Sequence, residues 1–219
     1  MQLEIPRDRL IQLVGKQLDN LFMFDPATEG SMLEAAIDSA LDKCDFCFSH
    51  TTNKYYRRNG ETYFNPFHSG QYSIFLYFAS HAVFALSPES KTLADRLYYL
   101  NKALNGLDLY YEVAMPAIFA LDHSVGAVMG RATYGDYFFF SQNCTVGNNK
   151  GVYPRIGRHV RMMSGATLIG RCQVGDHVVL AAKAYVKDTD IPSCSLVFGS
   201  SPDLVIKARP ESYFKAFEE

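Results

Sequence analysis

Two hydrophobic periods divide this chain. In the first half, Leu10, Ile11, Val14, Leu18, Leu21 and Phe22 recur at three- and four-residue spacing after Pro6, which predicts an amphipathic helix with proline at its start. Met32, Ala36, Ile37 and Ala40 predict a second helix over residues 31–41. Residues 50–60, with Tyr55, Tyr56, Arg57 and Arg58, are polar and basic and read as a loop. Residues 71–85 predict a third helix. Ser87-Pro88-Glu89 opens a fourth, carrying Leu93, Leu97, Leu100 and Leu104, and Asn105-Gly106 ends it.

From Ile156 the period changes to six. Ile156, Met162, Leu168, Val174, Leu180 and Val186 form one row, and Val160, Ala166, Cys172, Val178 and Ala184 form a second, four residues behind. Upstream, Val128, Tyr134, Phe140 and Val146 continue the first row, and Ala132, Phe138 and Cys144 the second. Interlocked rows at period six fit neither a helix nor a hairpin. They fit a triangular parallel β-helix built from hexapeptide repeats, in which each six-residue face sends one large apolar residue inward and each corner needs a small one. Between Val146 and Ile156 the register slips by four, so residues 147–154 read as a loop protruding from one coil. The fold expected is mixed: an α-helical N-terminal domain (1–107), a left-handed parallel β-helix (108–205) and a C-terminal tail (206–219). The left hand comes from the family resemblance described below.

Bulk properties narrow the function classes. The 219 residues are 48% hydrophobic and 20% charged, with net charge -2, an ordinary globular balance that argues against nucleic acid as a partner. The early Glu4, Arg7, Asp8 and Arg9 leave no secretory apolar stretch, and the apolar run 74–86 is interrupted by Ser80 and His81 and is too short for a bilayer. Five cysteines, an odd number, predict reduced thiols, a cytoplasmic location and no membrane partner. Cys44 and Cys47 have the spacing of a redox or zinc half-site but lack a second pair, and read as two cysteines near a helix end. His159 and His177 are one eighteen-residue coil apart and should stack; a catalytic zinc needs a third ligand, none is in phase, and no metal is expected.

Chemistry concentrates in residues 106–130. Gly106-Leu107-Asp108, followed by Asp122-His123-Ser124-Val125-Gly126-Ala127-Val128-Met129-Gly130 with His123 fifteen residues after Asp108, resembles the serine O-acetyltransferase family pattern G-x-D-I-H-P … D-H-x-T-G-x-V-I-G. Pro154-Arg155-Ile156-Gly157, Ser164-Gly165-Ala166-Thr167-Leu168-Ile169-Gly170 and the closing Val197-Phe198-Gly199-Ser200-Ser201-Pro202 continue the resemblance, which spans about residues 65–209. It implies an acetyl-CoA-dependent transfer to a small hydroxyl acceptor. His123 would be the general base, Asp108 the carboxylate that orients it, and Asp122 and Asn65 acceptor contacts. A neutral imidazole suits the removal of a hydroxyl proton near pH 7, and direct attack on the thioester requires no protein nucleophile. The resemblance places acetyl-CoA, as co-substrate, along Gly147, Asn148, Ser164, Ala182 and Lys183, with Lys207 and Arg209 as candidates for its phosphates. It further implies a homotrimer or a dimer of trimers.

Three departures concern the acceptor. The family's Arg-His pair, which binds the carboxylate of serine, is Val152-Tyr153 here. Its Asp-Pro in the N-terminal domain is Asn65-Pro66, and its E-T-A is Arg131-Ala132-Thr133. Loss of a guanidinium removes a bidentate carboxylate partner. Three alternatives stay open on these residues: serine, a saccharide or other hydroxyl acceptor, and a non-catalytic hexapeptide scaffold.

Overall fold

The computed structural model describes residues 1–87 and 91–215. Contacts divide the chain into two units, Met1–Glu112 and Val113–Glu219.

In the first unit, α1 (Arg7–Phe22) begins after Pro6 and buries Leu10, Val14 and Leu18, while Leu21 stays exposed. α2 (Pro26–Ser49) extends well beyond residues 31–41 at both ends, because Asp25 caps the first turn at Ala27 N–H and Pro26 sits where its missing N–H costs nothing. Cys44 and Cys47 lie buried near its C-terminal end, with free thiols; burial pushes Cys44 well above the ordinary thiol range. α3 (Ser69–Leu86) is buried on nearly every side, as its almost unbroken apolar sequence requires. Its buried Gln71 accepts from Asn65 N–H at 2.6 Å and donates to the Tyr55 carbonyl at 2.7 Å, tying the 50–68 segment to the helix. The start expected at Ser87-Pro88-Glu89 falls largely outside the described residues; α4 (Lys91–Asn105) buries Leu93, Leu97 and Leu100 but leaves Leu104 exposed. A small sheet completes the unit: Gln2–Leu3 pairs parallel with Glu61–Phe64, which pairs antiparallel with Arg57–Arg58. The 50–60 segment is therefore not all loop, since it holds a 3-10 turn (Lys54–Tyr56) and this strand.

The second unit is a parallel β-solenoid. One face stacks Val128–Met129, Thr145–Gly147, Thr167–Ile169 and Tyr185–Lys187. A second stacks Phe119–Leu121, Phe138–Phe140, Arg161–Met162, Val178–Leu180 and Ser195–Ser200. The third stacks Thr133–Tyr134, Arg155–Ile156 and Gln173–Val174. Regular coils advance eighteen residues, as in Arg161↔Val179 and Thr167↔Tyr185; the coil bearing the 147–154 insert advances twenty-two, as in Thr145↔Thr167. Every residue of the two downstream period-six rows is buried. Val128 corrects the upstream row: it is 41% exposed, and Met129 points inward. The coil from Val128 to Thr145 is one residue short, at seventeen, and a one-residue slip in a strand exchanges its two faces.

A hairpin and a short helix close the unit. Ser195–Ser200 pairs antiparallel with Asp203–Ala208, and α5 (Glu211–Lys215) lays Phe214 against Val179 and Leu196 on the outside of the second face.

Where coils turn, backbones meet. A Cβ built on Gly157 would lie 2.5 Å from Asp176 Oδ1 and 2.7 Å from the Gly175 carbonyl carbon, so only glycine lets these corners stack. Gly157→Ala should lower unfolding stability by roughly 1–3 kcal/mol through overpacking. Thr133→Ala, at an exposed outward position of the same face, should cost less than about 0.5 kcal/mol. Denaturant unfolding of the two variants checks the contrast.

Candidate active site

Asp122 and His123 occupy a corner between Phe119–Leu121 and Val128–Met129. Asp122 N–H donates to the Phe140 carbonyl at 3.1 Å, continuing the ladder, and Val125 N–H donates back to the His123 carbonyl at 2.7 Å. His123 takes the left-handed conformation, φ 49°, which histidine tolerates better than most side chains. The turn therefore throws the imidazole outward, its side chain 81% exposed, with Nε2 3.5 Å from Asp122 Oδ1.

The same corner repeats down the solenoid. Asn143 N–H donates to the Val125 carbonyl, Gly165 N–H to Gln142 and Lys183 N–H to Ser164, at 2.8–3.0 Å. Asn143, Gly165 and Lys183 are all left-handed, in register with Gly126, so Ser164, Ala182 and Lys183 stand in one column of turns with the Asp122–Gly126 turn that carries His123. Gly147 and Asn148 lie at the opposite edge of the face that follows this corner, at the end of Thr145–Gly147. The five residues expected to line the acetyl-CoA path thus flank a single face. Lys207 lies in the terminal hairpin over the Phe198 ring, and Arg209 over Tyr213.

The 147–154 insert is a tight hairpin. Asn149 and Val152 exchange backbone hydrogen bonds at 3.0 Å across Lys150 and Gly151, both left-handed. Asn149 Nδ2 donates to Asp188 Oδ2 at 2.5 Å and Asn148 Oδ1 accepts from Gly151 N–H. Val152 and Tyr153 are left 45% and 40% exposed. The Asn149–Asp188 clamp had no signature in sequence, since its partners are thirty-nine residues apart.

The remaining candidates belong to the first unit. Asn65 Oδ1 accepts from Phe67 N–H at 2.8 Å, an Asx turn across Pro66. Asp108 accepts from Tyr98 Oη at 2.6 Å and from Lys102 Nζ at 2.7 Å. Burial alone would push its carboxyl up; the two hydrogen bonds outweigh that and hold it below the ordinary aspartate range. Neither partner was anticipated, although a readable signal existed: Tyr98 and Lys102 are four apart on one helix side, and Asn105-Gly106 turns the chain back toward them. His159 and His177 stack as expected, with ring centroids 4.7 Å apart, and Tyr137 extends the stack. Among the described residues no group of three or more His, Cys, Asp or Glu is placed to hold a metal, and no helix is long and apolar enough to cross a membrane.

A solenoid of hexapeptide coils after a helical N-terminal unit is the framework of one class of acyltransferase, and comparison with known proteins narrows the class. No family model matches the chain. The serine acetyltransferase of Helicobacter pylori is 28% identical over 148 residues, 62% of this chain and 86% of its own length. A solved serine acetyltransferase in complex with CoA has a TM-score of 0.69 at 18% identity, covering 92% of this chain and 84% of that one. The Neisseria gonorrhoeae enzyme, solved with serine, also gives 0.69, at 20% identity and the same coverages. The chain is thus similar in sequence and in fold to serine acetyltransferases.

Because the folded Asp108 carboxyl titrates below its unfolded value, its stabilising effect is present above about pH 4 and lost as pH falls through the folded value. The melting temperature of wild type should exceed that of Asp108→Asn near pH 6. The gap should narrow as pH falls below about 4 toward the folded value of Asp108, which thermal melts of both proteins over a falling pH series will show.

Proposed function

We propose that this chain is an acetyl-CoA-dependent O-acetyltransferase acting on a small hydroxyl acceptor, with His123 as general base. The observation that carries the reading is the left-handed Asp122-His123 corner, which presents an imidazole at the head of the column holding Ser164, Ala182 and Lys183. The unprotonated ring nitrogen of His123 takes the acceptor's hydroxyl proton as the oxygen attacks the thioester carbonyl. Collapse of the tetrahedral intermediate breaks the C–S bond, and the departing thiolate recovers the proton from the imidazolium. Asp108 orients the imidazole and balances its charge, in the manner of a hydrolase carboxylate. Asp122 and Asn65 contact the acceptor, and acetyl-CoA runs along Gly147, Asn148, Ser164, Ala182 and Lys183. The enzyme works as a homotrimer or a dimer of trimers in the cytoplasm. Similarity to relatives named serine acetyltransferase, and to solved serine acetyltransferases bound to CoA and to serine, supports this reading.

His123→Ala should reduce kcat by roughly two to four powers of ten. Acetyl-CoA binding, followed by calorimetry, should barely change. Near-normal turnover in the variant would overturn the assignment.

A specific observation favours a second reading of the acceptor. The clamped insert presents Val152 and Tyr153, neither able to hold a carboxylate as a guanidinium does, so the acceptor of this reading is a saccharide or another hydroxyl compound rather than serine. Val152→Arg combined with Tyr153→His should then improve serine use. One charge-assisted bidentate contact contributes about 1.5–3 kcal/mol, roughly a tenfold to hundredfold gain in kcat/KM for serine. Efficient serine acetylation by wild type would reject this second reading and direct an alanine scan to Arg57, Arg58 and Arg155.

A further inference from the structure

The 147–154 insert lies back against the solenoid instead of standing free. The coil ladder holds its ends: Gly170 N–H donates to the Gly147 carbonyl and Thr133 N–H to the Pro154 carbonyl, each at 3.1 Å. Between those ends the hairpin carries one bonded pair, Asn149 and Val152, and a ribbon that short is marginal in water by itself. Asn149 then reaches past Gly170 to Asp188, two coils along. Asp188 Oδ2 accepts from Asn149 Nδ2 at 2.5 Å, Oδ1 accepts from Arg171 N–H at 2.9 Å, and the Asp188 N–H donates to the Ile169 carbonyl at 3.1 Å. The Arg171 N–H above all, with Asn149 adding to it, holds the Asp188 carboxyl below the ordinary aspartate range. Gly170 makes the seat possible, because a Cβ there would strike Asp188 Oδ1 and lie 2.8 Å from Asn149 Cβ.

Gly147, Ile169 and Lys187 are paired neighbours on the first face, so this clamp runs along one edge of that face, the edge that carries Gly147 and Asn148. We propose that Asn149 and Asp188 are positioning residues for acetyl-CoA: their clamp holds the insert down along this edge before the co-substrate arrives, so that Gly147 and Asn148 meet it already ordered. The inference rests on the reading in which acetyl-CoA runs along those two residues. A loop that must be ordered on binding subtracts from affinity, and a loop ordered in advance avoids that loss. Asn148 is one residue from the clamp, and its Oδ1 already accepts from Gly151 N–H at 3.2 Å, so its place follows that of the hairpin.

The test uses the intact protein and three variants: Asn149→Ala, Asn149→Asp, and the exchanged pair Asn149→Asp with Asp188→Asn. Asn149→Ala removes the clamp, and Asn149→Asp sets two carboxylates against each other. The exchange keeps the net charge of wild type and reverses the hydrogen bond. The amide then placed at 188 can still accept from Arg171 N–H while it donates to the carboxylate at 149.

Calorimetry gives the Kd of acetyl-CoA, and tryptic nicking after Lys150, at the exposed tip, reports how readily the hairpin lifts. Circular dichroism melts check that each variant is folded. Asn149→Ala should raise Kd about threefold to tenfold, the loss of one solvent-exposed hydrogen bond, and Asn149→Asp should raise it further. Both should be nicked faster than wild type. The exchanged pair should bring Kd and nicking back to within about twofold of wild type, as coupled partners do. An exchanged pair that binds no better than Asn149→Asp overturns the proposal, because it marks an Asn149 that touches the ligand itself. If wild type binds acetyl-CoA and both single variants bind it as tightly, the clamp serves stability alone and the inference fails by itself. If wild type does not bind acetyl-CoA, the inference falls together with the reading beneath it.

Discussion

Each coil of this solenoid turns sharply at three corners, and at most of those corners one residue is left-handed. Glycine adopts that conformation freely; other residues pay about 1–2 kcal/mol. Here His123, Tyr137, Asn143, His159, His177, Lys183, Asp188 and Cys194 all adopt it. The strain is offset because the corners from Tyr137 onward also donate their N–H to the preceding coil, at 2.7–3.1 Å, and because the apolar rows seal the interior. A left-handed corner also has no room inward for a side chain. Whatever stands there is displayed, which is why rings at three successive corners stack as Tyr137, His159 and His177, and why the histidine at the first corner faces solvent.

The helical unit obeys a different constraint. α3 is buried almost all round, so its neighbours must satisfy the polar groups at its ends and along its flank. Gln71 bridges two backbone groups near its start, and Asn101 of α4 donates to the Ser73 carbonyl at 2.9 Å. α4 is held in place by these contacts and by Leu93, Leu97 and Leu100. It is therefore a firm platform for Tyr98 and Lys102, and the carboxylate they hold inherits that firmness.

The parts legible in sequence were those governed by long apolar periods. The rows from Ile156 to Val186 and from Val160 to Ala184 are buried as expected, and the four-residue slip is a real insert. Val128 was misplaced because a constant period assumes coils of constant length, and one coil is a residue short. The early strand Gln2–Leu3 escaped notice because two residues carry no period and its partner lies some sixty positions away. The candidacy of His123 came from motif resemblance, which said nothing of its exposed, left-handed corner. Tyr98 and Lys102 were overlooked because an aspartate just past a helix end was read for what it does downstream and not for what the helix does to it.

α5 changes which walls of the solenoid another molecule can reach. With Phe214 seated over Val179 and Leu196, the second face of the solenoid is roofed by its own chain end. The third face shows Thr133, Arg155 and Gln173 outward, a polar column with little reason to leave water. The first face turns Thr145, Thr167, Ile169, Tyr185 and Lys187 outward, and α5 does not lie over it. The seal that α5 forms takes Val179 and Leu196 out of reach of any second molecule.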